Sequence, residues 1–215
     1  MKRIIGVFLA LLPFSFCAKE KNIVVPKSIE KNKMELKDGM EVAIFAGGCF
    51  WCTEAVFLEL NGVKSVVSGY IGGKTINPSY KEISTGDTGH AEAIEITFDP
   101  TIISFGELLE IFFATHDPTT LNRQGNDIGT QYRSEIFYHN ENQKQLSLEY
   151  ISILNHGNTF GKPVVTQVSL APIFYPAETY HSNYYNLNKT QSYCNYVITP
   201  KMEKLKKVYS DKLKK

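Results

Sequence analysis

Val42-Ala43-Ile44-Phe45-Ala46-Gly47-Gly48-Cys49-Phe50-Trp51-Cys52-Thr53-Glu54 is the stretch from which the architecture follows. Its first five residues form a short apolar strand pattern, two glycines interrupt it, and a helical pattern runs from Cys49 to Leu60. Strand, Gly-Gly turn and helix in succession aim helix N-terminal amides at whatever occupies the turn. Here the turn holds a thiol. A cysteine in the first turn of a helix sees amide dipoles that favour its anion, so its pKa is expected to fall and its nucleophilicity to rise. The glycines before it let the backbone approach a ligand closely. Phe50 and Trp51, if exposed at the same turn, would offer an apolar aromatic wall to a methyl or thioether group.

Outward from this turn the pattern keeps alternating between strands and helices. Val63–Tyr70 is strand-like, Gly69–Pro78 a glycine-rich loop, and Ala91–Phe98 a second alternating strand. Phe105, Leu108, Leu109 and Phe112 fall at i, i+3, i+4 and i+7, which predicts an amphipathic helix over 104–115. Ser134–His139 predicts a strand, Asn142–Leu154 a helix and Val164–Leu170 a late strand, and 171–196 is aromatic-rich and irregular. The order β-α-β-β-α-β-α-β lacks a strict βαβ repeat. It predicts an α+β fold, a two-layer α/β sandwich with a ferredoxin-like core, a mixed sheet and a long irregular C-terminal segment.

The chain has 215 residues, 23 Lys plus Arg against 22 acids, and a net charge of +1, so no globally basic nucleic-acid footprint exists. Lys2 and Arg3 precede an apolar run over Ile4–Phe16 that stops at Cys17, the shape of an export signal over 1–17. Cys17 also admits a lipoprotein-type signal. Residues 18–40 are a polar tether with little apolar area, which leaves 41–215 as the folded domain. The expected location is therefore the periplasm or cell envelope, with a lipid anchor if Cys17 is modified. At the far end Lys201–Lys215 carries seven lysines beside Met202, Leu205, Val208 and Tyr209, a docked helix with a solvated lysine face, and Pro200 stands where it would begin.

Four cysteines, Cys17, Cys49, Cys52 and Cys194, are too few for a disulfide framework. Cys49 and Cys52 form a C-x-x-C, which fits a disulfide, half a zinc site or a buried structural pair. Cys194 brings no His pair at ligand spacing, so a four-ligand zinc site is poorly supplied and no metal is expected. No cofactor is expected either: no Walker loop is present, and Gly69–Gly73 lacks the context of a dinucleotide fold.

Gly48-Cys49-Phe50-Trp51-Cys52 with Glu54 resembles the active-site signature of the A-type peptide methionine sulfoxide reductases, the peptide-methionine (S)-S-oxide reductases. The likeness continues in order through Gly69-Tyr70-Ile71-Gly72-Gly73, Asn77-Pro78-Ser79-Tyr80 and Thr88-Gly89-His90-Ala91-Glu92. It extends through His116-Asp117-Pro118-Thr119, Gly125 to Ser134, and Phe174-Tyr175-Pro176-Ala177-Glu178 to Tyr180-His181. About residues 42 to 208 are covered.

The resemblance implies a thiol-dependent oxidoreductase that repairs oxidised methionine, peptide-bound or free, taking the S epimer at sulfur. Cys49 would attack the sulfoxide sulfur and become a sulfenic acid. Glu92 would be the neutral acid that protonates the oxygen, its pKa raised by desolvation. Tyr80 and Tyr132 would hydrogen-bond that oxygen, Asp127 would orient the site, and Phe50 with Trp51 would hold the substrate methyl. Regeneration implies a thioredoxin-like donor and a resolving thiol. Cys194 is slightly favoured for that role and Cys52 is the alternative; direct reduction of the sulfenic acid by donor thiols is a third route. Many relatives carry a glycine-rich C-terminal tail with cysteines, whereas this chain ends in lysines. Two other functions compete: a general thiol–disulfide oxidoreductase on Cys49 and Cys52, and an aromatic peptide- or metal-binding module. A monomer is the default.

Overall fold

A computed structural model describes residues 39–215. The export signal, Cys17 and nearly all of the polar tether lie outside the described residues.

β1 (Glu41–Gly47), α1 (Phe50–Leu58), β2 (Val63–Ile71), α2 (Tyr80–Ile83), β3 (Ala91–Phe98) and α3 (Phe105–Thr115) open the domain. A short pair, β4 (Arg123–Gln124) and β5 (Asp127–Ile128), then precedes β6 (Ser134–Tyr138), α4 (Glu141–His156), β7 (Gln167–Leu170) and β8 (Tyr175–Pro176). α5 (Tyr184–Leu187) and α6 (Thr199–Val208) follow. The main sheet runs β7-β6-β1-β3-β2-β8. β1 is antiparallel to both β3 and β6, β2 is antiparallel to β3, and β6 is parallel to β7. The four central strands with α1 and α3 form the expected ferredoxin-like βαββαβ unit, and the parallel edge makes the sheet mixed.

Side chains alternate across β1 as the pleat requires. Ala43 and Phe45 join the large core beneath the helices, while Ile44 and Ala46 join a smaller cluster with Ile71, Ala91, Ala93 and Phe137 on the opposite face. Phe45 stacks on Phe112 of α3 with ring centroids 4.8 Å apart, which pins the amphipathic helix to the central strand. Ser104 starts α3 through a reciprocal capping box with Glu107, and Ser79 starts α2 in the same way with Glu82.

Two sequence expectations shift, and one element comes unannounced. The 80–83 segment, which has no apolar period to announce it, is a capped helical turn. The late strand shortens to Gln167–Leu170. The terminal helix begins at Thr199 with Pro200 in its first turn, but ends at Val208. Met202 and Leu205 are buried and Val208 is exposed; beyond it, Leu213 bridges back to Leu60. Lys204, Lys212 and Lys214 meet the carbonyl of Ala114, the Glu107 carboxylate and the carbonyl of Leu58, so part of the lysine face holds the helix down.

Candidate active site

β1 ends at Gly47, and Gly48 turns the chain with φ +91. A β-carbon on Gly48 would lie 2.5 Å from Cγ of Gln124, so the close approach this glycine permits is to β4 rather than to a ligand. Cys49 is the N-cap of α1, and its side chain makes no capping bond.

The first free amide of the helix, that of Phe50, donates to Oε2 of Glu92 across 3.1 Å. One of the helix-end amides is thereby given to a carboxyl group. Cys49 is buried among Cys52 and Glu92, and its pKa is raised well above the ordinary thiol value, by burial first and by those neighbours next. This overturns the expectation of a depressed Cys49 pKa: desolvation outweighs a dipole that faces another acid. The lowered thiol is Cys52, brought to about 7 chiefly by the hydrogen bond from Cys49, with Lys201 and Tyr193 assisting.

Glu92 projects from β3 and is 2% exposed. Burial pushes it up to about 8 against the pull of the Phe50 amide, and the charges of Asp127 and Cys52 add to the rise. It is a carboxyl kept protonated at neutral pH by its surroundings. Tyr80 opens α2 and Tyr132 closes a 3-10 turn at Thr130–Tyr132. Burial raises Tyr80 to about 12 and raises Tyr132 as well, with Glu92 the next cause for both. Both phenols therefore stay protonated donors near the carboxyl.

The aromatic wall differs from expectation. Phe50 is fully buried and packs between Tyr70, Tyr80 and His181; Trp51 alone is partly exposed. The C-terminal segment closes over it. Tyr184 stacks on Trp51 at 3.8 Å and 7°, and Tyr193 meets Trp51 edge-on at 6.0 Å. The Tyr193 hydroxyl donates to Oδ2 of Asp127 at 2.6 Å and lies 3.8 Å from the Cys52 sulfur. A cavity of about 250 Å³ adjoins this point, lined by Cys49, Cys52, Asp127, Tyr193, Tyr196 and Lys201 among others.

The fold thus gathers Cys49, Phe50, Trp51, Cys52, Tyr80, Glu92, Asp127 and Tyr132 in one place. Cys194 begins a π-helical turn at Cys194–Ile198, is fully buried in the main core, and sits near enough for Cys52 to raise its pKa. All three described cysteines are free thiols.

Four site residues received no role from the sequence. Glu54, buried, accepts the amides of Asn183 and Tyr184 and anchors the covering segment. Glu178 accepts the Tyr70 hydroxyl and the Tyr80 amide. His181 accepts the indole proton of Trp51. Tyr193 reaches the thiols from beside Cys194. Their signal in the sequence is only that Glu54 stands in the signature turn and Glu178, His181 and Tyr193 in the late aromatic segment, where nothing in the spacing ties them to partners 66 to 130 positions away.

Known proteins match this arrangement. The family model for peptide methionine sulfoxide reductase matches residues 41–213. The peptide methionine sulfoxide reductase MsrA of Deinococcus radiodurans is 56% identical over 174 residues, 81% of this chain and 84% of that one. The MsrA of Chromobacterium violaceum is 53% identical over 171 residues, 80% of this chain and 97% of the relative. Among solved structures, reduced Mxr1 of Saccharomyces cerevisiae superposes with a TM-score of 0.66 at 31% identity, covering 76% of this chain and 94% of that one. Methionine sulfoxide reductase A of Corynebacterium diphtheriae gives 0.64 at 35%, covering 72% and 78%.

Proposed function

The chain belongs to the peptide methionine sulfoxide reductase family, and on that premise we propose how its own residues reduce the S epimer of methionine sulfoxide, peptide-bound or free, to methionine. The observation that carries the mechanism is the buried carboxyl of Glu92, raised to about 8 and linked through the Phe50 amide to the turn bearing Cys49. Sulfoxide oxygen is a poor leaving group until it is protonated, and a carboxylic acid held neutral beside the nucleophile supplies that proton. Tyr80 and Tyr132 donate to the same oxygen, and Trp51, backed by the buried Phe50, receives the methyl group.

Cys49 loses its proton to the Cys52 thiolate as its sulfur attacks. Oxygen passes from substrate sulfur to Cys49 sulfur: the sulfoxide is reduced by two electrons to the thioether, and the thiol is oxidised to a sulfenic acid. Cys52, now a thiol and three residues away, is the better placed of the two resolving candidates, because it is hydrogen-bonded to Cys49 itself, whereas Cys194, in the same buried core, is coupled to Cys52. An S–S bond forms between Cys49 and Cys52, the S–O bond of the sulfenic acid breaks, and the Cys52 proton leaves with the hydroxyl as water. A dithiol donor of thioredoxin type then reduces the disulfide by exchange.

Export rests on the pattern of residues 1–17, and places the enzyme in the periplasm or envelope, lipid-anchored if Cys17 is modified, as a monomer repairing oxidised proteins there. Epimer-resolved turnover of a methionine sulfoxide peptide with excess dithiothreitol tests the activity. The parent should consume the S epimer alone and Cys49→Ser neither; consumption of both epimers, or of neither by the parent, would refute the assignment.

A further inference from the structure

We propose that His181 is a positioning residue for sulfoxide capture: its neutral ring accepts the Trp51 indole proton and holds the pocket wall, and the doubly protonated ring lets that wall go. The substrate half of this inference rests on the reductase reading above.

An indole nitrogen can only donate. The 3.0 Å contact from Trp51 Nε1 to His181 Nδ1 therefore makes Nδ1 an acceptor and leaves the single ring proton of the neutral form on Nε2. Nε2 lies 3.7 Å from Oε2 of Glu178 and makes no hydrogen bond. The ring is 1% exposed. Its remaining contacts are the pocket's own side chains: Tyr80 at 4.5 Å and Phe50 at 4.9 Å between centroids, with Tyr180 at 4.1 Å on the outer side. Phe50 and Trp51 come from α1 and Tyr80 from α2, and one imidazole joins them. A residue that only filled this space would need no acceptor aimed at Trp51.

A second proton on the ring turns Nδ1 into a donor facing a donor, and the bond to Trp51 cannot survive. The titratable groups facing His181 are Glu178 and Tyr180 of its own segment and Tyr80 of α2. Glu178 favours the charged ring, but both its oxygens already accept hydrogen bonds, from the Tyr70 hydroxyl and the Tyr80 amide. Burial prevails and holds His181 below the usual histidine range. At neutral pH the ring is the acceptor, and release belongs to the acid side.

Trp51 is the chain's one tryptophan, so a single indole N–H resonance reports this bond without reference to activity. In the parent that proton should resist solvent exchange at pH 7. His181→Asn, whose Oδ1 can stand where Nδ1 did, should keep the protection, and His181→Leu should lose it. The KM for a methionine sulfoxide peptide should rise about tenfold in His181→Leu with a smaller change in kcat, and stay within about threefold in His181→Asn. KM of the parent should also rise on acidification, and that rise should be missing from His181→Asn. Equal indole exchange in the parent and His181→Leu, or equal KM, would overturn the proposal. A folded parent that turned over no sulfoxide would overturn the reductase reading instead, a result distinct from either of these.

Discussion

The first amide of the helix that Cys49 caps is taken by Glu92: the Phe50 N–H points at Oε2 of the carboxyl, 3.1 Å away. The acid and the nucleophile are thus set by a single turn of backbone, and their proton affinities oppose simple expectation. Cys49 is raised, Glu92 is raised to about 8, and Cys52 is lowered to about 7. Catalysis needs the Cys52 thiolate and the Glu92 acid together. The profile of kcat/KM against pH should rise through about 7 and fall through about 8. A flat profile from pH 6 to 9 would contradict these assignments.

Glu92→Gln should lower kcat by a factor on the order of 10² to 10⁴, the usual share of a general acid. The glutamine amide oxygen can still accept the Phe50 amide, so folding should survive. A buried carboxyl whose folded pKa exceeds its unfolded value of about 4.3 contributes stability below that value and loses it as pH rises through about 8. Glutamine has no such loss. The Tm of Glu92→Gln relative to the parent should therefore increase between pH 6 and pH 9, as calorimetry would show.

Cys52→Ser, which removes both the base for the Cys49 proton and the resolving thiol, should release its first methionine more slowly than the parent and then stall when the donor is thioredoxin, because the sulfenic acid has no resolving partner. The stalled form should be trapped by dimedone. Cys194→Ser should cycle, though with reduced stability, since it buries a hydroxyl in an apolar core at a cost of about 1–3 kcal/mol. The reverse pattern would restore Cys194 as the resolving thiol.

The sheet and its flanking helices were legible in the sequence because they are periodic. Val42–Ala46, Ala91–Phe98 and the Phe105–Phe112 stripe each bury one face, and burial leaves a pattern. Cys49 was legible because a thiol after two glycines is chemically unusual, and Glu92 only because the ordered motifs resemble a family. What the sequence could not show is what a neighbour does to a group. The Phe50 amide reads as a dipole for Cys49 until Glu92, 42 positions on, is found accepting it. Glu54, Glu178, His181 and Tyr193 act through single contacts that span 66 to 130 residues or more, and single contacts have no period.

Tyr193→Phe isolates one such contact. The phenyl ring can still pack against Trp51, but the hydroxyl that bonds Asp127 and touches Cys52 is gone. That hydroxyl is among the groups lowering Cys52, so its loss should move the Cys52 thiolate midpoint above about 7. The rate of iodoacetamide alkylation at Cys52, followed from pH 5 to 9 by peptide mass, reads that midpoint directly. With a smaller thiolate fraction at pH 7, both proton uptake from Cys49 and the first step of turnover should slow. An alkylation profile superposable on the parent's would mean that Tyr193 serves Asp127 alone and leaves the thiol pair untouched.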